Sequence, residues 1–270
     1  MKTAVDYGKL GEELERMLML RTFPVALKMV SKEDALPENV IRPVKDQLGH
    51  IALCQAFSLA RRQGRTVLME KEDHWCWAPL IAYGMVEFHE DGDSFSEVVK
   101  HLGIADMDKA KAFAKNFPKI DEGLYSGILV APLRSATFEP DVVLIYANPA
   151  QLRSMLWAYK NQTGTLVTTE MDGIDSCVFS VIPLLKGGKA RVSVPDPGEY
   201  ERANATEDEM IFSLPKEELP LLVDGLRVFE ERKIGYRHLT PEIRPDYPRP
   251  QFYNNLFEIW GLDTGEVWKK

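Results

Sequence analysis

Three cysteines and one histidine are the residues whose types and order could build a reactive centre in this chain: Cys54, His74, Cys76 and Cys177. A thiolate is both a nucleophile and a soft metal ligand, and a neutral imidazole is a common nitrogen ligand for zinc. Three thiolates and one imidazole satisfy a tetrahedral zinc ion. Three thiolates alone can hold an iron-sulfur cluster with one iron left open for a substrate. An extended backbone around Cys76 puts His74 and Cys76 on one face, with Trp75 and Trp77 on the other. On a helix, Ile51, Cys54, Gln55 and Ser58 share one stripe. No ligand pair stands at the short separation that marks zinc ribbons or ferredoxins, and free cysteine also serves as a small buried hydrophobe. The expectation is a site of Cys54, Cys76, Cys177 and His74 for zinc or an iron-sulfur cluster, used in redox or ligand-activating chemistry. The alternative is a non-enzymatic regulatory module that binds a small anion, its cysteines only packing.

That anion would sit at Asn148-Pro149-Ala150-Gln151. Asn before Pro is a good helix start, with Asn capping free N–H groups. A helix N-terminus at the carboxyl end of a strand is also a natural anion site, with Gln151 and Arg153 as further donors. Lys186-Gly187-Gly188-Lys189, followed by Arg191, offers backbone N–H groups to an anion, although a hairpin turn with solvated lysines explains it as well. Lys28, if it faces inward, should be partly buried and paired. Phosphate-loop, dinucleotide, zincin, serine-hydrolase and Cys-x-x-Cys signatures are all absent.

The elements that must position these residues follow from periodicity. Leu10, Leu14, Met17 and Leu18 predict a first helix over 7–20, ahead of a buried strand at 24–30. A second helix is expected from Val44 to Arg62, with Gly64 as its C-cap. Strands are expected at 65–70 and 82–88, then a Ser94-x-x-Glu97 capping box and helical periodicity from Glu97 to about Phe117. Asp141 to Ala147 reads as another strand, and Lys216 to Arg232 as a helix begun by Pro215.

The chain also repeats itself loosely. PVALKMV (24–30) reads like DVVLIYA (141–147), and each is followed by a helix carrying Gln55 or Gln151, a glycine, a strand (RTVLME or TLVTTE) and a cysteine. The glycine-to-cysteine spacing is 12 residues from Gly64 to Cys76 and 13 from Gly164 to Cys177. These units imply an α/β domain over 1–235: a mixed sheet covered by helices, built as two related halves at about 7–90 and 125–215. A pseudo-twofold axis would then bring Cys76 and Cys177 together. Residues 236–270 hold four prolines and seven of the 26 aromatics, too many apolar rings for a free tail. They read as an arm that docks on its own domain or on a neighbouring subunit of a homo-oligomer, so an assembly role built on the arm is a third possibility.

Composition bounds the rest. At 270 residues with 45% hydrophobic and 27% charged side chains, the chain is a globular protein able to bury its own core. A net charge of −8 argues against nucleic acid as the main partner, since that binding rests on clustered Lys and Arg. The amino terminus turns charged within a dozen residues, and no apolar run is long enough to span a membrane. With an odd number of cysteines, the expectation is a cytoplasmic protein with a small-molecule ligand and no membrane partner. Asn161 and Asn204 then match the glycan-acceptor pattern by chance.

Several segments resemble a known prokaryotic family, domain of unknown function 169. They are PVALKM (24–29), CQAFSLARRQG (54–64), the cysteine of WCWAP (75–79), DVVLIYANPAQ (141–151), and the run from Cys177 through PDPGEYERANATEDEMIFSLP (195–215). The likeness spans roughly Leu10 to Arg232. It implies a fold and a set of recurrent cysteines, and it implies no reaction. Trp77-Ala78-Pro79 departs from the Pro and Gly that commonly follow the second cysteine, which would narrow a pocket there, and the aromatic arm lies outside the likeness.

Overall fold

A computed structural model of the chain describes residues 5–89, 97–98, 103–239 and 248–262. Two compact units divide it, Met1–His238 and Leu239–Lys270. The first is built on a six-stranded sheet in the order β2-β3-β1-β4-β6-β5. Its strands are β1 (Val25–Val30), β2 (Val67–Glu70), β3 (Gly127–Pro132), β4 (Val142–Ala147), β5 (Arg191–Ser193) and β6 (Met210–Pro215). Every neighbouring pair runs antiparallel, with Val25 opposite both Pro132 and Leu144. The sheet expected to be mixed is therefore antiparallel throughout its described strands.

β1, β3 and β4 are apolar almost throughout, Lys28 of β1 being the exception, because both faces of the sheet are covered. Alternate residues enter two separate cores. Val25, Leu27, Leu144 and Tyr146 face one layer, formed by α2 (Leu53–Gln63), α3 (Trp77–Ala82), α6 (Ser176–Phe179) and α7 (Ile182–Leu185). Ala26, Val143 and Ile145 face the other, formed by α1 (Tyr7–Leu18), α5 (Pro149–Thr163) and α9 (Leu219–Glu231). The last two helices touch through Gly225, where a Cβ would stand 2.3 Å from the Ala158 carbonyl oxygen. α4 (Met107–Asn116) and α8 (Pro197–Arg202) complete this unit, and α10 (Gln251–Ile259) lies in the second. Among the described residues no helix is long and apolar enough to cross a membrane.

The two-halves reading does not carry into this fold. β1, α2 and β2 form as expected, but the counterpart of β2 at 165–170 has no regular structure. The helices that follow β1 and β4, α2 and α5, also cover opposite faces of the sheet. Similar local sequences thus serve different connections.

Other boundaries shift for local reasons. The helix expected from Val44 begins only at Leu53, because Gln47 and Gly49 take positive φ values of 62° and 81° and break the chain direction. The segment expected as a strand at 82–88 instead ends α3 and turns at Gly84, whose φ is +64°. The helix expected from Glu97 to Phe117 is interrupted at Gly103 and starts again at Met107, capped by the Asp106 carboxylate. Ser94 of the expected capping box lies outside the described residues. Gly64 caps α2 in the left-handed conformation as anticipated. In the second unit, Phe252, Tyr253, Ile259 and Trp260 are exposed.

Candidate functional site

The three cysteines come from distant segments, and a short pairing of backbone brings the first two together. Ile51 and His74 form an isolated parallel bridge, with the Trp75 amide donating to the Ile51 carbonyl at 2.9 Å. That bridge sets Cys54, in the first turn of α2, against Cys76, the N-cap residue of α3, and the two pack with Ala52 and Ala203. Cys177, in α6, is held from the other side: the Tyr83 hydroxyl at the end of α3 donates to the Cys177 carbonyl at 2.7 Å.

The three thiols are close enough to act on one another electrostatically. Burial pushes the Cys177 thiol well up, and Asp196, Cys54, Cys76 and Asp175 add to it. Cys54 is also pushed up by burial, then by Glu199 and Asp196, with Arg202 opposing. Cys76 is less buried and is raised for the same main reason. At neutral pH all three are protonated thiols and poor nucleophiles, so a cation arriving among them would displace protons.

Next to them lies a hydrogen-bonded network of acids that sequence reasoning missed. The Tyr146 hydroxyl, on β4, donates to Glu199 Oε2 at 2.9 Å. Ser176 Oγ stands 2.5 Å from Glu199 Oε1 and 3.0 Å from Asp196 Oδ2. A serine hydroxyl has one hydrogen and cannot donate to two carboxylates at once. Burial pushes Glu199 up to about 7, against the hydrogen bonds from Ser176 and Tyr146, so near neutral pH it is the carboxyl of the two that takes up a proton. In that state Glu199 donates to Ser176, and Ser176 donates to Asp196. Asp175, left-handed at φ 56°, is likewise pushed up to about 7 by burial and by Asp196, and its Oδ2 has no partner among the described residues.

A buried ion pair closes the network. Arg61 Nη1 and Nη2 donate to the two Glu209 oxygens at 2.8 and 3.1 Å, and the guanidinium lies 3.9 Å from the centre of the Tyr146 ring. Arg202 lies at the outer edge, its Cζ 4.5 Å from the centre of the exposed Trp75 ring.

His74 is in extended backbone and 8% exposed, and neither ring nitrogen has a hydrogen-bond partner among the described residues. Burial alone pushes it down to about 4, so the imidazole is neutral. Among the described residues no group of three or more His, Cys, Asp or Glu side chains is arranged to hold a metal ion. The thiols share a neighbourhood without forming a finished coordination shell.

The other candidates are engaged elsewhere. Asn148 Oδ1 accepts from the amides of Ala150 and Gln151 at 3.0 and 2.9 Å, while Gln151 Oε1 accepts from the Asn148 amide at 2.8 Å. Gln151 Nε2 then donates to the carbonyls of Leu18 and Met19, tying α5 to the end of α1. Asn148 Oδ1 and both ends of the Gln151 amide are engaged in capping and tethering, which accounts for the pair as a helix start, and Arg153 is exposed on the helix surface. The glycines at 187 and 188 end α7, with their amides bonded to the carbonyls of Leu184 and Pro183, which corrects the hairpin reading. Lys28 is partly buried and pairs with Asp34 at 2.9 Å, as expected. Trp77 stacks on Phe117 at 6.2 Å. A cavity of about 780 Å³ near the ends of β1 and β2 is lined by Asp34, Arg42, Glu70 and Ser126 among others and contains none of the cysteines.

These cysteines, the helix start at Asn148 and the acid-rich run before β6 all fall where the DUF169 profile matches the chain, over residues 13–225. The chain belongs to the DUF169 family. That family is described as uncharacterised ArCR, so membership carries no reaction with it. No curated protein and no solved structure matches the chain. The DUF169 match covers the sheet and all three cysteines and stops before the second unit.

Proposed function

We propose that this DUF169 protein takes up a soft metal ion or an iron-sulfur cluster at Cys54, Cys76 and Cys177, with the neutral imidazole of His74 as a fourth donor for zinc, and uses it for redox or ligand-activating chemistry. One observation carries the reading: three thiols from three separate segments share one buried neighbourhood with Asp175, Asp196 and Glu199. Thiol packing by itself gains nothing from carboxyls beside it, although Asp196 also caps α8 and Glu199 holds Tyr146 and Ser176. A cation does gain, because the surrounding acids lower its energy as the thiols give up their protons. Closing a coordination shell requires side-chain rotation, and Cys76 is the least buried of the three and so the freest to turn.

Anaerobic titration of the reduced protein tests this, with Zn²⁺ in one series and Fe²⁺ plus sulfide in another. Stoichiometric uptake is expected, releasing up to about three protons per zinc in weak buffer. Cys54→Ser and Cys177→Ser should each abolish tight binding. Uptake that survives both substitutions, or no uptake by the fully reduced protein, leaves the thiols as packing residues and overturns the proposal.

A further inference from the structure

The edge of the thiol site carries a cation whose hydrogen-bonding capacity is unspent. Arg202 ends α8, and its guanidinium folds back over its own helix to Gly198, where a Cβ would stand 2.5 Å from Arg202 Nη2. Trp75 then holds the guanidinium by its ring face at 4.5 Å. Its one carboxylate contact is with Glu201 at 4.0 Å, beyond hydrogen-bond range, and it makes no hydrogen bond among the described residues. By contrast, Arg61, Arg134 and Arg227 each donate to a carboxylate. Arg202 is thus a donor fork set against an indole, with its N–H groups unspent on any acceptor among the described residues.

Its surroundings say what the fork would serve. Trp75 precedes Cys76 in the chain, and Ala203, which follows Arg202, packs in one cluster with Cys54 and Cys76. Cys76 is the one partly exposed thiol of the three. We propose that Arg202 and Trp75 form the recognition element for a carboxylate-bearing small molecule, holding its carboxylate in the guanidinium fork and presenting its adjoining carbon to the Cys76 side of the thiol site. Planar, bidentate recognition of a carboxylate is what guanidinium does better than any other side chain. This names a substrate class for the site proposed above and rests on that site, but its test needs no metal.

The probes are iodoacetate and iodoacetamide, which have the same size and reactive carbon and differ in a carboxylate. Each alkylates a thiolate through formation of an S–C bond and departure of iodide, the thiol proton having passed to solvent. Initial rates at Cys76 would be read by peptide mass spectrometry on the full-length reduced, metal-free protein. The iodoacetate-to-iodoacetamide rate ratio is the measured quantity. Any change in thiolate fraction caused by losing Arg202 acts on both reagents equally and cancels. Arg202→Gln should lower the ratio about fivefold or more, in line with loss of a charge-assisted pair, and Trp75→Ala should lower it less. A second measurement uses the unaltered protein: millimolar malonate should protect Cys76 from iodoacetamide and neutral malonamide should not. A ratio unchanged in Arg202→Gln, or equal protection by malonate and malonamide, overturns the assignment. Failure of zinc or cluster uptake with the ratio behaving as described would overturn the metal reading and leave the carboxylate site standing.

Discussion

Replacing Glu199 by glutamine should stabilise the protein at alkaline pH and leave it nearly unchanged in acid. Glu199 is 1% exposed, and its proton is retained to about pH 7 against an ordinary 4.5. Below about pH 4.5 the folded and unfolded chains both carry that proton, and nothing is lost. Between 4.5 and 7 the unfolded chain ionises first, so wild-type stability falls as pH rises, and above about 7 the loss is complete. At about 1.4 kcal/mol per tenfold, the difference between those values gives a ceiling of about 3 kcal/mol, of which roughly 1–3 kcal/mol should be recovered by Glu199→Gln at pH 8. Glutamine keeps a partner for both Tyr146 and Ser176. Asp175 adds a slope of the same sign, and His74, protonated in the unfolded chain below its ordinary 6.5 but in the folded chain only near 4, adds one of opposite sign. Both are common to the two proteins and cancel in the comparison. Urea unfolding followed by tryptophan fluorescence at pH 4.5 and pH 8 is the assay. Equal effects at the two pH values, or a destabilised Glu199→Gln at pH 8, would refute the proton assignment and with it the Glu199-Ser176-Asp196 order of donation.

Two further outcomes follow from the same geometry. Arg61→Met leaves the buried Glu209 carboxylate with only the Thr206 amide and Arg62 at 3.6 Å and should cost about 3 kcal/mol, whereas Arg61→Met with Glu209→Gln should recover much of that loss; urea midpoints of the single and double variants check both. Gln151→Ala removes the bond to the Asn148 amide and the tether to Leu18 and Met19, for a loss of about 1–3 kcal/mol at unchanged malonate protection of Cys76, which separates the capping role from any part in the thiol site.

What could be read along the chain was what depends on near neighbours. The apolar strands at 25–30 and 142–147, the α1 stripe of Leu10, Leu14, Met17 and Leu18, the Gly64 cap and the Asn148 cap are all set within a few residues, and all formed. The failures arose where one residue's backbone geometry overrode an apolar pattern. Gln47 and Gly49 deny α2 its first turns, and Gly84 turns a segment that reads as a strand. The repeat misled for a related reason: a short buried strand looks alike wherever it lies, and its sequence does not say on which face the next helix will settle.

The sequence by itself determined the ingredients: three cysteines, a histidine two residues before one of them, and an acidic run between 195 and 209 whose residues carry no periodic signal of their own. Only tertiary structure decided that the cysteines share one neighbourhood. The Ile51–His74 bridge and the Tyr83–Cys177 hydrogen bond, made across 23 and 94 residues of chain, are what join them. Only tertiary structure raised the Glu199 carboxyl and set the Arg202 guanidinium against Trp75. Charge state in a protein follows from burial and from partners contributed by distant segments. Neither is a property of a residue or of its neighbours in sequence, and that is why the chemistry of this site became visible only once the fold had brought these distant segments together.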